Sequence, residues 1–527
     1  MTKFWLAAFI VLLPSSLWAQ QGLTTDALVN IRHEASDNSQ VMDDAFYLSD
    51  VYGPRFVGSP NIEHAADWTR ARLKAYGLSN IRVEELKLPI NVGGLSWSGR
   101  GWSYDNFAIS ATKPEYVALI GEPVMFSEST DGIVHGEVAV AQLPEPGNEV
   151  ALNAFVEQFK GKLRQKMLLI APIQQVKRPA ADDFVRRTDA ELGALSQAVP
   201  EQKTAGSNQA AQNQSQSGPD PGLEQYVGTQ IELFAFLRKE GALALVAPAP
   251  GGGGTDFVVG PIGPPDPTTP PPPSIALAPE HYNRIFRLVQ HEIPVELQLQ
   301  LHTEFRPGAG VFNVLADIPG DGKKNEIVLL GAHLDSFHVG TGATDNAAGV
   351  ALVMETVRIL EALHLHMART VRVALWGGEE MDRQGSRDYV RQHFVGKSAS
   401  PERLTCYFNV DHGSGKIRGI YLQGHQSLVP LFRKWLEPFN DVGASTISLK
   451  EINGSDQKSF NDVGLPGLAF IEDPLDYESR THHTNMDTYD YLAPDDLKQS
   501  AAILATLVYR AATADENVAE LAAARPQ

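Results

Sequence analysis

From about residue 311 onward, apolar runs alternate with stretches whose apolar residues recur at helical spacing. The runs span residues 327–332, 371–376, 404–410 and 468–471. Strands that are apolar on both faces and alternate with helices are typical of parallel sheets covered by helices on both sides. The pattern therefore predicts an α/β fold with a mixed, largely parallel central sheet and helices on both faces.

The middle of the chain has a different pattern of apolar and polar residues. Short apolar runs are separated there by Gly, Pro and polar turns. This pattern favours a small β-rich domain over residues 116–304. Inside it, the Gln-, Asn- and Ser-rich composition of residues 196–222 predicts a disordered loop, and the proline-rich residues 261–273 are expected to be extended. We therefore predict that residues 20–115 and 305–527 form one domain that carries this segment as an insertion.

Residues 1–19 look like a secretory signal. Lys3 supplies a positive charge, residues 4–13 form a short apolar run, and Ala19 is a suitable cleavage position. The run is much shorter than the roughly 20 residues that span a bilayer. We therefore expect an exported protein, periplasmic or secreted, with no membrane anchor after signal removal.

The overall charge narrows the range of partners. The 527 residues carry a formal net charge of -19, and 43% of them are hydrophobic. Such an excess of acid repels nucleic acids and anionic membranes, so we expect no nucleic-acid partner. Local concentrations of acid are, however, suited to binding cations.

Imidazole and carboxylate groups follow the predicted strands, at the edge of the sheet where α/β proteins place their ligands. These candidate groups are His333, Asp345, Glu379, Glu380, Asp411 and the neighbouring pair His482 and His483. Imidazole and carboxylate ligands suit zinc, with manganese or cobalt as substitutes. The sequence therefore predicts a metal site at this edge.

The number of candidate ligands favours two metals over one. Two ions about 3.5 to 4 Å apart that share a carboxylate would use five ligands, which is more than a single open zinc site needs. Asp345, at the start of a predicted helix, is the expected bridge. Asp335 follows His333 by two residues and is expected to hydrogen-bond the far nitrogen of its imidazole. One glutamate of the pair would bind metal and the other would accept a proton from water.

Five motifs in order resemble the co-catalytic zinc exopeptidases of the M28 aminopeptidase type, in particular the carboxypeptidase Q-like branch. The motifs are Gly-Ala-His-Leu-Asp-Ser at 331–336, Thr-Asp-Asn-Ala-Ala-Gly at 344–349, Trp-Gly-Gly-Glu-Glu at 376–380, Asn-Val-Asp at 409–411 and His-Thr-Asn-Met-Asp-Thr at 483–488. The resemblance covers most of the chain. It implies a zinc-exopeptidase fold and a protease-associated (PA) domain inserted at residues 116–304.

The resemblance also implies a role for each candidate. Two zinc ions would be held by one imidazole and one carboxylate each, with a shared carboxylate between them. The implied ligands are His333 and Asp411 for one ion, Glu380 and His483 for the other, and Asp345 as the bridge. Glu379 would be the general base and acid, and Ser455, Asp456 and Phe460 would line the substrate pocket. The implied substrates are peptides or dipeptides, and a homodimer is a further expectation.

Two other functions stay open at this point. Glutaminyl cyclases share this fold and part of the ligand set but use a single zinc ion, and non-catalytic relatives have lost the ligands. The complete ligand set and the predicted insertion favour a peptidase over both. Whether the substrate is attacked from its amino or its carboxyl end does not follow from the sequence.

Overall fold

A computed structural model describes residues 25–86, 91–92, 95–96, 100–176, 183–199, 221–263, 268–395 and 402–523. The predicted signal at residues 1–19 lies outside the described residues. So do most of the predicted loop at 196–222 and part of the proline-rich stretch at 261–273.

Among the described residues, the central sheet has eight strands. Their spatial order is Ser79–Leu86, Val311–Ile318, Arg369–Trp376, Lys323–His333, Arg403–Asn409, Gly467–Glu472, Ile417–Tyr421 and Thr446–Ser448. The four strands in the middle are parallel to one another, and antiparallel pairs lie outside them. The outermost pair, at the end that carries Thr446–Ser448, is again parallel. The prediction of a mixed, largely parallel sheet is confirmed.

Apolar side chains cover both faces of this sheet. Along the strand Lys323–His333, Val328 and Leu330 belong to one buried cluster, whereas Ile327 and Leu329 belong to another. Successive side chains of a strand point to opposite faces, so each face has its own core. This is why the strand reads as a continuous apolar run.

The helices of the described residues surround the sheets. They are Thr25–Asp37, Val41–Phe46, Pro60–Ala75, Glu149–Phe159, Asp189–Ser196, Pro221–Glu240, Pro279–Gln290, Ala348–Ala362, Gln384–Val390, Val429–Leu436, Gln457–Asn461, Pro494–Thr513 and Val518–Ala523. Short helical turns occur at Tyr47–Val51, Ala343–Ala347, Arg391–Val395, Gln426–Leu428, Glu437–Val442, Tyr477–Thr481 and Tyr489–Tyr491. None of the described helices is both long and apolar enough to cross a membrane.

A second sheet of eight described strands has its own apolar core. Its order is Val117–Ala118, Arg100–Lys113, Glu296–Pro307, Ile133–Val140, Lys166–Leu169, Ala244–Pro248, Ser274–Leu277 and Gly121–Pro123. The strands Arg100–Lys113 and Glu296–Pro307 pair along their lengths. The sheet therefore extends beyond residues 116–304 at both ends.

Two small hairpins complete the described strands. One pairs Asn91–Val92 with Leu95–Ser96, and the other pairs Gly251–Gly252 with Thr255–Asp256. The second of these contacts the candidate site.

Candidate metal centre

Three neighbouring parallel strands deliver the candidate ligands to one edge of the central sheet. His333 is the last residue of its strand, Glu379 follows the strand that ends at Trp376, and Asp411 follows the strand that ends at Asn409. The carboxyl ends of parallel strands meet at the same edge, which brings these side chains together.

The Asp345 carboxylate lies between two histidines. Its Oδ1 is 3.1 Å from Nε2 of His333, and its Oδ2 is 3.2 Å from Nε2 of His483. Oδ1 of Asp411 is 3.2 Å from the same nitrogen of His333, and Oε2 of Glu380 is 3.1 Å from the same nitrogen of His483. Each oxygen of Asp345 thus faces one imidazole–carboxylate pair.

Among the described residues, potential ligand atoms converge in three overlapping groups, each with its atoms within 4.8 Å of one another. The groups are His333 with Asp345 and Glu380, His333 with Glu379 and Asp411, and Asp345 with His482 and His483. Oε1 of Glu380 is buried and has no hydrogen-bond partner among the described residues. A buried carboxylate oxygen without a partner is costly unless a cation neutralises it, so this donor set fits divalent metal.

The pKa values of the two imidazoles also indicate that the site favours a positive charge. Burial alone would lower the pKa of His333, but Asp411 and Asp345 outweigh it and raise that pKa well above its ordinary value. Burial is likewise outweighed at His483, whose pKa is raised to about 11 by Glu380 and Asp345. The imidazoles therefore hold protons where a metal ion would supply the positive charge.

The two neighbouring glutamates differ in their surroundings. Glu380 contacts His483, and burial together with the Asp345 charge raises its pKa to about 7. Glu379 lines the cleft instead, and burial followed by the charge of Asp411 raises its pKa well above the ordinary value. Both glutamates belong to the groups of potential ligands, but Glu380 contacts His483 whereas Glu379 lines the cleft.

Asp335 supports the site through a contact that differs from the predicted one. Nδ1 of His333 donates to the backbone oxygen of Asp335 at 2.9 Å, whereas the Asp335 carboxylate is 3.8 Å from that nitrogen. The carboxylate instead accepts from the backbone nitrogens of Glu379 and Glu380 at 3.1 and 3.3 Å. The predicted side-chain bond to His333 is therefore corrected: the backbone oxygen of Asp335 lies closer to the imidazole nitrogen than the Asp335 carboxylate does.

Asp487 holds the backbone around Asp345, the predicted bridge, in place, a role that no sequence pattern predicted. Its carboxylate accepts from the backbone nitrogen of Thr344 at 2.6 Å, from the Thr344 hydroxyl at 2.7 Å and from the backbone nitrogen of Asp345 at 3.2 Å. Its position four residues after His483, within the same motif, is the signal that could have indicated it.

Of the three residues predicted to line the substrate pocket, only Ser455 is among the residues that line the cleft beside the candidate ligands. Ser455 lines the cleft and accepts a hydrogen bond from the Asn409 side chain at 2.8 Å. Asp456 is fully buried. Phe460 is also fully buried, with its ring centroid 4.4 Å from that of Tyr407. The prediction for Phe460 is therefore corrected: its ring packs in the apolar core beneath the sheet edge.

The cleft above the candidate ligands has a volume of about 230 Å³. One wall includes Tyr477, whose ring stacks on His482 with centroids 4.7 Å apart. His482 lies 3.9 Å from Asp345 and 3.6 Å from Glu478, farther than His483 lies from its carboxylate partners. His483 therefore makes the closer contacts with the ligand cluster.

Comparisons with known proteins find similarity to peptidases. Residues 313–508 match peptidase family M28. The chain is 23% identical over 498 residues to carboxypeptidase Q of Bos taurus, a match that covers 94% of this chain and 90% of that protein. It is 22% identical over 501 residues to carboxypeptidase Q of Homo sapiens, with the same two shares covered.

Two solved structures share the fold. A peptidase M28 precursor from Shewanella amazonensis SB2B aligns with a TM-score of 0.59 at 22% identity, covering 93% of this chain and 97% of that one. A zinc aminopeptidase from Bacillus subtilis aligns with a TM-score of 0.53 at 17% identity, covering 90% and 95%. Each alignment covers at least 90% of this chain, so the fold recurs in other proteins.

Proposed function

We propose that this chain, whose residues 313–508 match peptidase family M28, is an exported di-zinc exopeptidase that hydrolyses peptides or dipeptides. The observation that carries the proposal is the position of Asp345, whose two carboxylate oxygens each face a separate imidazole–carboxylate pair. Export rests on the signal-like residues 1–19. A single-zinc glutaminyl cyclase is not favoured, because the family match and the similar proteins are peptidases.

The proposed ligands follow from the contacts. His333 and Asp411 would hold one zinc ion, Glu380 and His483 would hold the other, and Asp345 would bridge them, with manganese or cobalt as substitutes. Bound zinc would act as a Lewis acid toward the peptide carbonyl and lower the pKa of a water molecule.

Glu379 is the proposed proton carrier. In hydrolysis the water oxygen bonds to the scissile carbon, the carbon–nitrogen bond breaks, and one water proton must reach the leaving nitrogen. The Glu379 carboxylate would accept that proton and deliver it to the nitrogen. Its place in the cleft wall and its backbone bond to Asp335 support this role.

The second sheet is proposed to belong to a PA-like domain, called the second domain below, as the resemblance implies for residues 116–304. None of the proposed zinc ligands lies in that segment. Its proposed part in the chemistry is therefore indirect, through the contacts it makes with the peptidase domain.

Substitution of Glu379 tests the proposal. Glu379→Gln should keep two zinc ions per chain, measured by elemental analysis, and lose nearly all turnover, because an amide cannot accept the proton. Glu157→Gln, the same change at an exposed helix position in the second domain, should keep both. Hydrolysis of a peptide mixture with free and blocked termini, read by mass spectrometry, would identify the end that is attacked. A Glu379→Gln enzyme that works at the parental rate would overturn the proposed mechanism.

A further inference from the structure

A hairpin of the second domain pairs with the segment that carries His483. The hairpin is Gly251–Asp256, and the chain continues from it through Phe257 and Val258. Phe257 forms an antiparallel bridge with Thr484. The backbone nitrogen of Val258 donates to the backbone oxygen of His483 at 2.8 Å. A candidate metal ligand is thus held at its own backbone by a different domain.

Asn485 adds hydrogen bonds from both its backbone and its side chain to this contact between the segment and the hairpin. Its backbone nitrogen donates to the oxygen of Asp256 at 3.1 Å, and its side-chain oxygen accepts from the nitrogen of Asp256 at 2.8 Å. Its side-chain nitrogen donates to the oxygen of Gly254 at 3.2 Å. One residue therefore satisfies backbone groups of the hairpin that would otherwise need a neighbouring strand.

His483 is a residue for which such support has a physical purpose. Its φ is +60°, in the left-handed region that costs a side chain with a Cβ atom of the order of 1 kcal/mol. The Phe337 ring packs edge-on against its imidazole, with centroids 4.5 Å apart. The hairpin thus stabilises an unfavourable backbone conformation that turns the imidazole toward Asp345 and Glu380.

The two ends of the segment are held by different parts of the protein. Asp487 binds the backbone of Thr344 and Asp345 within the peptidase domain. Asn485 and His483 are held from the hairpin side. Loss of the hairpin contact would therefore remove restraints on the backbone of His483 while Asp345 stays restrained by Asp487.

We propose that Asn485 is a positioning residue through which the second-domain hairpin sets the metal affinity of the His483 half of the centre. The proposal rests on the proposed two-zinc centre. Asn485 itself is not among the cleft-lining residues or the potential ligands. Its effect would pass through the backbone of His483, in the way that residues supporting a ligand tune metal sites.

The test is a zinc titration of the metal-free, full-length chain against a chromophoric chelator. Asn485→Ala should weaken one of two zinc-binding steps by about tenfold or more and leave the other at its parental affinity, the size seen when support of a ligand is removed.

Asn461→Ala is the matched control. Asn461 makes the same reciprocal amide–backbone pair with Gly467, through two hydrogen bonds of 3.0 Å, away from the hairpin. This variant should lose stability to a similar extent and leave both zinc-binding steps unchanged. The comparison separates a general loss of stability from an effect on one metal.

Each outcome decides the proposal. If the parent binds two zinc ions and the Asn485→Ala variant binds both with parental affinity, the positioning role of Asn485 is overturned. The proposed function then still stands. If the parent binds fewer than two ions, the two-zinc proposal is overturned, and the positioning role of Asn485 is overturned with it. If the alanine variant does not fold, Asn485→Asp is used, because it keeps the acceptor for Asp256 but loses the donor to Gly254 and sets a charged oxygen against that carbonyl. Parental zinc affinity in that variant overturns the positioning role of Asn485 as well.

Discussion

The Asp335 carboxylate accepts the backbone N–H of Glu379 at 3.1 Å, while the Asp335 carbonyl accepts the imidazole N–H of His333 at 2.9 Å. One buried residue therefore orients both a proposed ligand and the proposed base. This arrangement explains why an aspartate two residues after His333 serves the site although its side chain does not bind that histidine.

Asp335→Asn should therefore impair catalysis more than metal binding. An amide retains a single acceptor oxygen, so one of the two backbone N–H groups of Glu379 and Glu380 would face an NH₂ group. We expect kcat to fall about 10- to 100-fold, as for other residues that support a metal site. Zinc content should stay at the parental value because the His333 bond uses the backbone. Asp321→Asn, at an exposed position, is the control, and an unchanged kcat in Asp335→Asn would contradict the role.

Alanine substitution of the neighbouring histidines should separate their roles. His483→Ala is expected to remove one zinc ion from each chain, since His483 lies within 3.2 Å of both Asp345 and Glu380. His482→Ala is expected to retain two ions, because its imidazole lies farther away and stacks on Tyr477. Elemental analysis of the two purified variants checks this. Two ions in His483→Ala and one in His482→Ala would reverse the assignment.

The sequence predicted the sheet and the ligand groups because both depend on local order along the chain. An apolar run followed by His333 is enough to place that histidine at the end of a strand. Strands in a parallel sheet also share one edge, so Asp411 could be expected near it. These predictions needed no knowledge of packing.

Other features depended on contacts between distant segments. Phe460 and Ser455 lie close together in sequence, yet Phe460 packs in the core and Ser455 lines the cleft, because Phe460 lies on a short helix, Gln457–Asn461, that begins after Ser455. The bonds from Asn485 to the second-domain hairpin join residues more than two hundred positions apart. The spacing of apolar residues along the sequence does not predict a contact between such distant residues.

The position of Phe460 in the core leads to a prediction about stability. Phe460→Ala should destabilise the protein by about 3–5 kcal/mol, because a fully buried aromatic ring leaves a cavity beside Tyr407 and Trp376. Phe460→Leu should cost less. Urea unfolding measures the loss, and KM of the folded variants should stay at the parental value. A raised KM in a variant of parental stability would instead support a pocket role for Phe460.

Glu122, in the strand Gly121–Pro123 of the second sheet, should make stability depend on pH. Burial raises its pKa from 4.5 to about 7, although a long hydrogen bond from the Tyr104 hydroxyl opposes the shift. It forms no ion pair with the described residues. Between pH 4.5 and 7 the folded chain keeps a proton on Glu122 that the unfolded chain releases. Its contribution to stability is therefore present below pH 4.5 and is lost as the pH rises through 7.

Glu122→Gln should remove this dependence, since an amide is uncharged at every pH. At about 1.4 kcal/mol per pKa unit, the variant should gain up to about 3 kcal/mol over the parent between pH 4.5 and 8.5. The measurement is the difference between the two urea-unfolding free energies at each pH, which cancels the titration of all other groups. Glu157→Gln, at an exposed position, should show a constant difference from the parent. If Glu122→Gln also runs parallel to the parent across this range, Glu122 is ionised in the folded protein and its burial does not control the pH dependence.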